Sequence, residues 1–457
     1  MPTSESPQPW KQWDHEHSWH PFTQMREWMA EDPLFIERGE GNYLIASNGR
    51  RYFDATSSLW CNLHGHGRPE IVAAIAGQAA QLAHSTMLGL SNLPATELAK
   101  RLIDIAPKGL TRVFYSDSGA TAVEVALKMA FAYWQLRGEP GRDVFVSLNE
   151  GYHGDTIGSL SVGYLELFDR PYRQLLFPCV KLNPPHFFRY YRRQSMEEAV
   201  SSALAEAEIT LTRDRRRIAA LIVEPLMQAA AVMWNHPVEY LAGLARLCQQ
   251  NNILLIADEV AVGFGRTGKM FACDHAGITP DLMCLAKGIS GGTLPLAATL
   301  TTEEVFNAFL GDYSERKTFF HGHTYTGNPI GCAAALASLD IFEKDNVLQE
   351  LPAKIRALEE ALRPLRILPH VADIRQWGVM VGIELAEDKE ARRSFPSGLR
   401  LGKRVIMAAR RRGVILRPLG DVVILNPPLS TTIAEMQHIA AVTAEATIEA
   451  CAEVVKG

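Results

Sequence analysis

Two residues of complementary chemistry stand at the ends of two short apolar runs. Residues 253–257 lead into Asp258, and residues 282–286 lead into Lys287. Each run has the length of a strand. In open α/β sheets, ligands lie outside the carboxyl ends of the strands. A carboxylate and an amine could therefore face one crevice from neighbouring strands. A lysine amine can form a Schiff base with an aldehyde, and an aspartate can keep a pyridine nitrogen protonated so that the ring draws electrons. The pair suits pyridoxal phosphate. The same two residues also suit plainer roles, a solvated strand end for Lys287 and a helix cap for Asp258.

Two other motifs share this stretch. GISGG at 288–292 fits the G-x-S-x-G elbow of serine hydrolases, with Ser290 as nucleophile and His321 and His323 downstream. GFGRTGK at 263–269 fits most of a phosphate loop, but Met270 follows where a hydroxyl should bind magnesium. Elsewhere, Cys61, His64 and His66 lie close together. A zinc site needs three or four ligands and no partner cluster is near, so a glycine-rich active-site loop competes with the metal reading.

The elements that must position these groups follow from periodicity. A strand at 113–115, then Ser116 to Thr121, then a helix at 122–134 is an arrangement that offers backbone N–H groups to a phosphate. An ordinary capped helix fits equally well. A strand at 143–147 ends in a turn bearing Tyr152 and His153, where an aromatic ring could stack on a flat cofactor. Strands at 219–223, 253–257 and 282–286 alternate with a helix at 240–249. Such alternation predicts an α/β fold with a mostly parallel sheet flanked by helices. Residues 36–46 and 51–53 predict an antiparallel meander turning at Asn48-Gly49. Helices are expected at 69–81 and 94–105, and another opens at 333–342. A charged surface insertion is expected at about 180–217. Beyond Pro369 come a strand at 373–385, a basic helix at 400–412, and strands at 414–417 and 422–425, which read as a smaller α+β domain. Residues 1–18 read as a loose arm.

At 457 residues the chain can bury a large core and form two or more domains. The hydrophobic share of 47% and charged share of 21% are ordinary globular values. A net charge of −5 gives no reason to expect nucleic acid or an anionic membrane as partner. Seven cysteines without a C-x-x-C pair do not make a disulfide framework, so a reducing cytoplasm is the simplest setting. The polar start carries no secretory signal, and no uncharged apolar run reaches the ~18 residues of a membrane span.

Longer motifs carry a resemblance over nearly the whole chain. They are WHPFTQ at 19–24, SSLWCNLHGHG at 57–67, DSGATAVEVALKMA at 117–130 and GYHGDT at 151–156. DEVAVGFGRTGKMFACDHAGITPD at 258–281, HTYTGNP at 323–329 and ILRPLGDVVILNPP at 415–428 continue the series. With these in order, the chain resembles the class III aminotransferases, pyridoxal-phosphate enzymes of fold type I. Within that class it is most similar to the branch that aminates 8-amino-7-oxononanoate in biotin biosynthesis with S-adenosylmethionine as amino donor. The resemblance implies a large cofactor domain at 66–335, a small domain at 336–457, and a segment at 1–65 that joins the small domain and the active site.

It also implies roles for residues. Lys287 would bind the cofactor and then act as general base, Asp258 would pair with the pyridine nitrogen, and Tyr152 and Val260 would cover the two ring faces. Gly119 and Ala120 would bind the phosphate through backbone N–H groups; many relatives carry Ser where Ala120 stands. Thr324, next to His323, would reach the phosphate from a neighbouring subunit, which implies a homodimer with shared sites. Arg417 would clamp the substrate carboxylate. Trp60 would line the aliphatic tunnel, with Asp155, Arg266 and Gly322 toward the substrate end. Three positions depart from the family pattern: Phe22 and Ile424 stand in place of Tyr, and Leu59 in place of Trp. Loss of two hydroxyls and an indole removes groups that could discriminate a polar donor. Lysine as donor, an ω-amine or ω-amino-acid transaminase, and a serine hydrolase built on Ser290 are the other readings.

Overall fold

The computed structural model describes residues 9–163, 169–186, 190–192 and 194–455. A seven-stranded sheet runs in the order Leu110–Ser116, Ala297–Thr302, Leu282–Leu285, Leu254–Asp258, Ile218–Val223, Val144–Leu148, Cys179–Leu182. Ala297–Thr302 is antiparallel to both neighbours, and the other pairings are parallel. Successive strand residues point to opposite faces. Leu254 and Ile256 join the apolar cluster of the helix Gly119–Leu136, with Ala122, Val123 and Ala126. Leu255 joins the cluster of the helices Met196–Arg213 and Val238–Gln250, with Ala203 and Leu244. With both faces covered, these strands read as continuous apolar runs rather than alternating ones.

Two four-stranded sheets lie outside this one, besides a short ladder of Met227–Gln228 with Trp234–Asn235. Ile36–Glu40, Tyr43–Ala46 and Arg51–Asp54 form an antiparallel meander, to which Val414–Ile415 adds a parallel edge strand. Val371–Trp377, Met380–Leu385, Val422–Leu425 and Arg417–Leu419 form an antiparallel sheet. Early and late segments of the chain thus share one sheet. Among the described residues, no helix is long and apolar enough to cross a membrane.

Four expectations are corrected. The loose arm at 1–18 is not loose over its second half. Trp10–His17 is helical, and Asp14 accepts the Trp28 indole N–H at 2.7 Å and lies 2.8 Å from His20 Nε2; residues 1–8 lie outside the described residues. The stretch at 180–217 is no surface insertion: Cys179–Leu182 pairs with Val144–Leu148, and Met196–Arg213 buries Ala199, Ala203, Ala207 and Leu211. Its charges mark one helix face, and residues 187–189 and 193 lie outside the described residues. The strand at 373–385 is a hairpin. Gly378 turns it with φ 63°, where a Cβ would run into the backbone of Arg266 and Thr267. The strand at 36–46 likewise breaks at Gly41, φ 55°.

Candidate active site

Asp258 is paired in register with Cys284 of the next strand, so Lys287, just beyond, leaves the sheet at the same edge. The turns after Val144–Leu148, Ile218–Val223 and Leu110–Ser116 deliver Tyr152 to Asp155, Glu224, and Ser118 to Ala120 to that edge too. With Trp60, Val260, Ala229 and Ala230 they line one cavity of about 400 Å³.

Lys287 is half-buried at the cavity wall. Desolvation pulls its amine below the usual lysine range, against the opposing charges of Asp258 and Glu224. Its Nζ lies 5.5 Å from the centre of the Trp60 ring. Asp258 is held on both sides. Its Oδ2 lies 2.7 Å from His153 Nδ1, and its Oδ1 accepts the Val260 N–H at 3.1 Å. Glu224 accepts the N–H groups of Tyr152 and Ala229, each at 3.0 Å. Burial, with the neighbouring Asp258 charge, pushes its carboxyl up to about 8. The Tyr152 hydroxyl donates to Asp155 at 2.8 Å. Burial and that carboxylate push the phenol up.

The helix start beside them explains how an anion could be received. Ser118 caps Gly119–Leu136 by accepting the Thr121 N–H at 3.3 Å, while Thr121 Oγ1 accepts the Ser118 N–H at 2.9 Å. This box uses the donors on either side of Gly119 and Ala120. Among the described residues, the N–H groups of those two have no partner. Gly119 must lack a side chain, because its Cβ would lie 2.5 Å from Val260 Cγ1.

Of the residues expected at the site, Lys287, Asp258, Tyr152, Val260, Gly119, Ala120, Asp155 and Trp60 converge on this cavity. Arg417 stands on the edge strand opposite Ile424, half-buried, with no hydrogen bond or ion pair among the described residues. Its charge acts on Tyr152. Arg266 lies behind the wall rather than on it. It is buried and donates to the carbonyls of Pro427 and Asn62 at 2.6 and 2.9 Å. Phe22, Leu59, Gly322 and Thr324 are exposed and do not line the cavity of their own chain. His323 Nδ1 lies 2.6 Å from Asp117. The hydrolase reading is overturned: Ser290 is buried and its hydroxyl donates to Leu294 O at 2.7 Å.

Four contributors were given no role in the sequence reading. His153 was legible only as part of a glycine-flanked turn, and Glu224 only as an acid at a strand end. Ala229 and Ala230 carried no signal, since alanines lining a cavity look like alanines in a core.

Pyridoxal phosphate calls for an amine, an anion for its ring nitrogen, a flat slot, and donors for a phosphate. The cavity offers Lys287, Asp258, the Tyr152 ring with Val260, and two unpartnered N–H groups, so its residues fit that cofactor. Parallel strands delivering lysine and aspartate beside a helix start define a pyridoxal-phosphate enzyme. Residues 25–446 match the family model of aminotransferase class-III. The chain is 50% identical to the adenosylmethionine-8-amino-7-oxononanoate aminotransferase of Geobacter sulfurreducens, over 94% of this chain and 95% of that one. It is similar to the crystal structure of the Methanocaldococcus jannaschii enzyme of the same name, with TM-score 0.92, 48% identity, and 96% and 98% of the two chains covered. It is also similar to the ω-transaminase of Pseudomonas jessenii in complex with PMP, with TM-score 0.94, 31% identity, and 99% and 100% covered. The chain belongs to the class III aminotransferases and is a pyridoxal-phosphate-dependent aminotransferase.

Proposed function

We propose that this enzyme transfers an amino group to 8-amino-7-oxononanoate, giving 7,8-diaminononanoate, with S-adenosylmethionine as donor, as a step of biotin biosynthesis in the cytoplasm. The observation that carries this reading is Arg417, a half-buried guanidinium near Tyr152 without a carboxylate partner among the described residues. A charge so placed costs solvation unless a ligand anion meets it. Relatives near 50% identity bear the corresponding name.

Bound pyridoxal phosphate would supply an electron sink next to the substrate carbon. The chain's own residues do the rest. Lys287 would take the proton from that carbon and deliver it to the carbon on the far side of the intervening nitrogen, and desolvation that lowers its amine pKa favours the neutral amine this needs. Asp258, steadied by His153, would hold the ring nitrogen protonated. Tyr152 and Val260 would fix the ring between them, and Gly119 and Ala120 would anchor the phosphate.

The proposal includes a homodimer. Leu88, Leu93 and Phe320 are 90%, 85% and 76% exposed in the single chain, large apolar side chains that a partner subunit would cover. Gly322 and Thr324 would then serve the partner's cavity. We assign cofactor binding to 66–335 and substrate closure to 336–457 with 1–65.

The test is product formation from 8-amino-7-oxononanoate with donors supplied singly. Turnover with S-adenosylmethionine is expected, and Arg417→Ala should raise the KM for the oxononanoate. A second reading, an ω-amine transaminase, is favoured by the apolar Phe22, Leu59 and Ile424. Pyruvate-dependent turnover of simple amines with none of the oxononanoate would select it.

A further inference from the structure

The wall that carries Trp60 has an uncommon backbone. Ser57, Ser58 and Trp60 have φ of 50°, 59° and 63°, and none is glycine. Ser58 combines this with ψ −81°, close to a γ-turn geometry that L-residues rarely adopt. Such conformations persist only where the surroundings over-determine them.

The group that does so is Asp54, at the end of the strand Arg51–Asp54. It is fully buried. Its two oxygens accept the Ser58 N–H at 2.9 and 2.7 Å, and Oδ2 accepts the Ser58 hydroxyl at 3.0 Å. His66 Nε2 lies 3.0 Å from the same oxygen. The flanks are fastened separately. The Ser57 hydroxyl donates to Asn426 O at 2.7 Å, and Arg266 holds Asn62 O. Between them the Trp60 N–H donates to Thr56 O at 2.9 Å and the Cys61 N–H to Ser57 O at 3.1 Å, while, among the described residues, the Ser58 N–H and hydroxyl are held by Asp54 alone. From that turn Trp60 extends into the cavity wall, 5% exposed, with its ring facing the Lys287 amine.

We propose that Asp54 is a positioning residue. Through Ser58 it holds a strained turn that sets the Trp60 ring against the cavity, and thereby sets the fit of the amino acceptor. This rests on the acceptor proposed above. Asp54 touches neither substrate nor cofactor, so its loss should act on acceptor fit and leave cofactor loading alone.

The experiment compares three holoenzyme variants: Asp54→Asn, Ser58→Gly, and the two combined. An amide cannot accept on both sides, so Asp54→Asn loosens the turn. Its acceptor KM should rise about tenfold, the scale of releasing one strained residue, with kcat within about threefold. Glycine adopts φ near 60° without steric cost, so the double variant should recover most of the KM. A merely structural aspartate would show no such rescue. Cofactor absorbance should match the wild type throughout. An unchanged acceptor KM in Asp54→Asn, or a double variant no better than the single one, would overturn the proposal. If Asp54→Asn fails to fold, the double variant must fold and bind acceptor normally, or the proposal also falls. If the wild type does not use the oxononanoate, the substrate proposal fails instead, and the same KM comparison is made with pyruvate.

Discussion

A single methyl group at Gly119 offers a sharp perturbation of the cofactor cradle. In Gly119→Ala the new carbon would sit 2.5 Å from Val260 Cγ1 and 3.2 Å from Cγ2. Non-bonded carbons settle at about 3.5–4.0 Å, so roughly 1 Å of movement is required. Val260 yields poorly, because its branched side chain is stiff at χ1 and its N–H is held by Asp258 at 3.1 Å. Overpacking of this kind costs about 1–3 kcal/mol. The residues that must shift are the ones facing the cofactor, so the cost should appear as affinity, a rise of roughly 5- to 150-fold in Kd for pyridoxal phosphate. Titrating the apoprotein with the cofactor and following absorbance measures it. Val260→Ala placed in the Gly119→Ala background removes the collision and should restore much of the affinity. Unaltered cofactor affinity in Gly119→Ala would refute the placement of Gly119 against Val260 in one cofactor cradle.

Further outcomes follow from the buried ionisable groups. His153→Ala removes the neighbour 2.7 Å from Asp258 Oδ2; kcat should drop on the order of tenfold, with the cofactor still bound, since the Asp258 carboxylate stays in place with only the Val260 N–H to orient it. Equal loss of cofactor from His153→Ala and Asp258→Ala would contradict that split. Glu259 accepts the N–H groups of Ala272 and Cys273 at 2.9 and 2.8 Å, and burial raises its carboxyl from 4.5 to about 7. The folded chain then holds the extra proton between those values, so stability is full below pH 4.5 and falls as pH rises through about 7. Glu259→Gln should flatten this slope of Tm and cost about 1–3 kcal/mol, because an amide meets one of the two N–H groups with its own donor. His64 has the opposite sign: burial lowers it from 6.5 to about 4, so its share of stability is present above pH 6.5 and lost as pH falls toward 4. Acid unfolding of His64→Gln should begin at lower pH than that of the wild type.

The sheet edge was legible because its strands end on charged or polar residues after unbroken apolar runs. That pattern and the rule that ligands gather at the carboxyl ends brought Asp258 and Lys287 to one crevice, while their roles came from the resemblance to the family. Long-range partners were not legible. His153 and Glu224 come from other strands, and their proximity to Asp258 depends on strand order, which periodicity does not encode. Arg266 misled in the same way. Its place in a motif gives no sign that its guanidinium turns inward to the Asn62 and Pro427 carbonyls. The helix at 196–213 was hidden by charge: Glu197, Glu198 and Arg213 occupy its solvent side, while alanines, small and neutral, form the buried side. The hairpin at 371–385 was masked because its turn rests on the single residue Gly378 between two stretches of strand-forming residues, with no Asn-Gly or Pro signal beside it.

The most direct measurement is the absorbance spectrum of the purified protein, wild type and Lys287→Ala, before and after S-adenosylmethionine is added without acceptor. With pyridoxal phosphate joined to Lys287, the wild type should absorb near ~420 nm, and a competent donor should move this toward ~330 nm. Lys287→Ala should lack the first band and show no donor-driven change. A wild-type protein that stays colourless after incubation with pyridoxal phosphate, or a Lys287→Ala variant that responds as the wild type does, would contradict the assignment of Lys287 and Asp258 to the reacting centre.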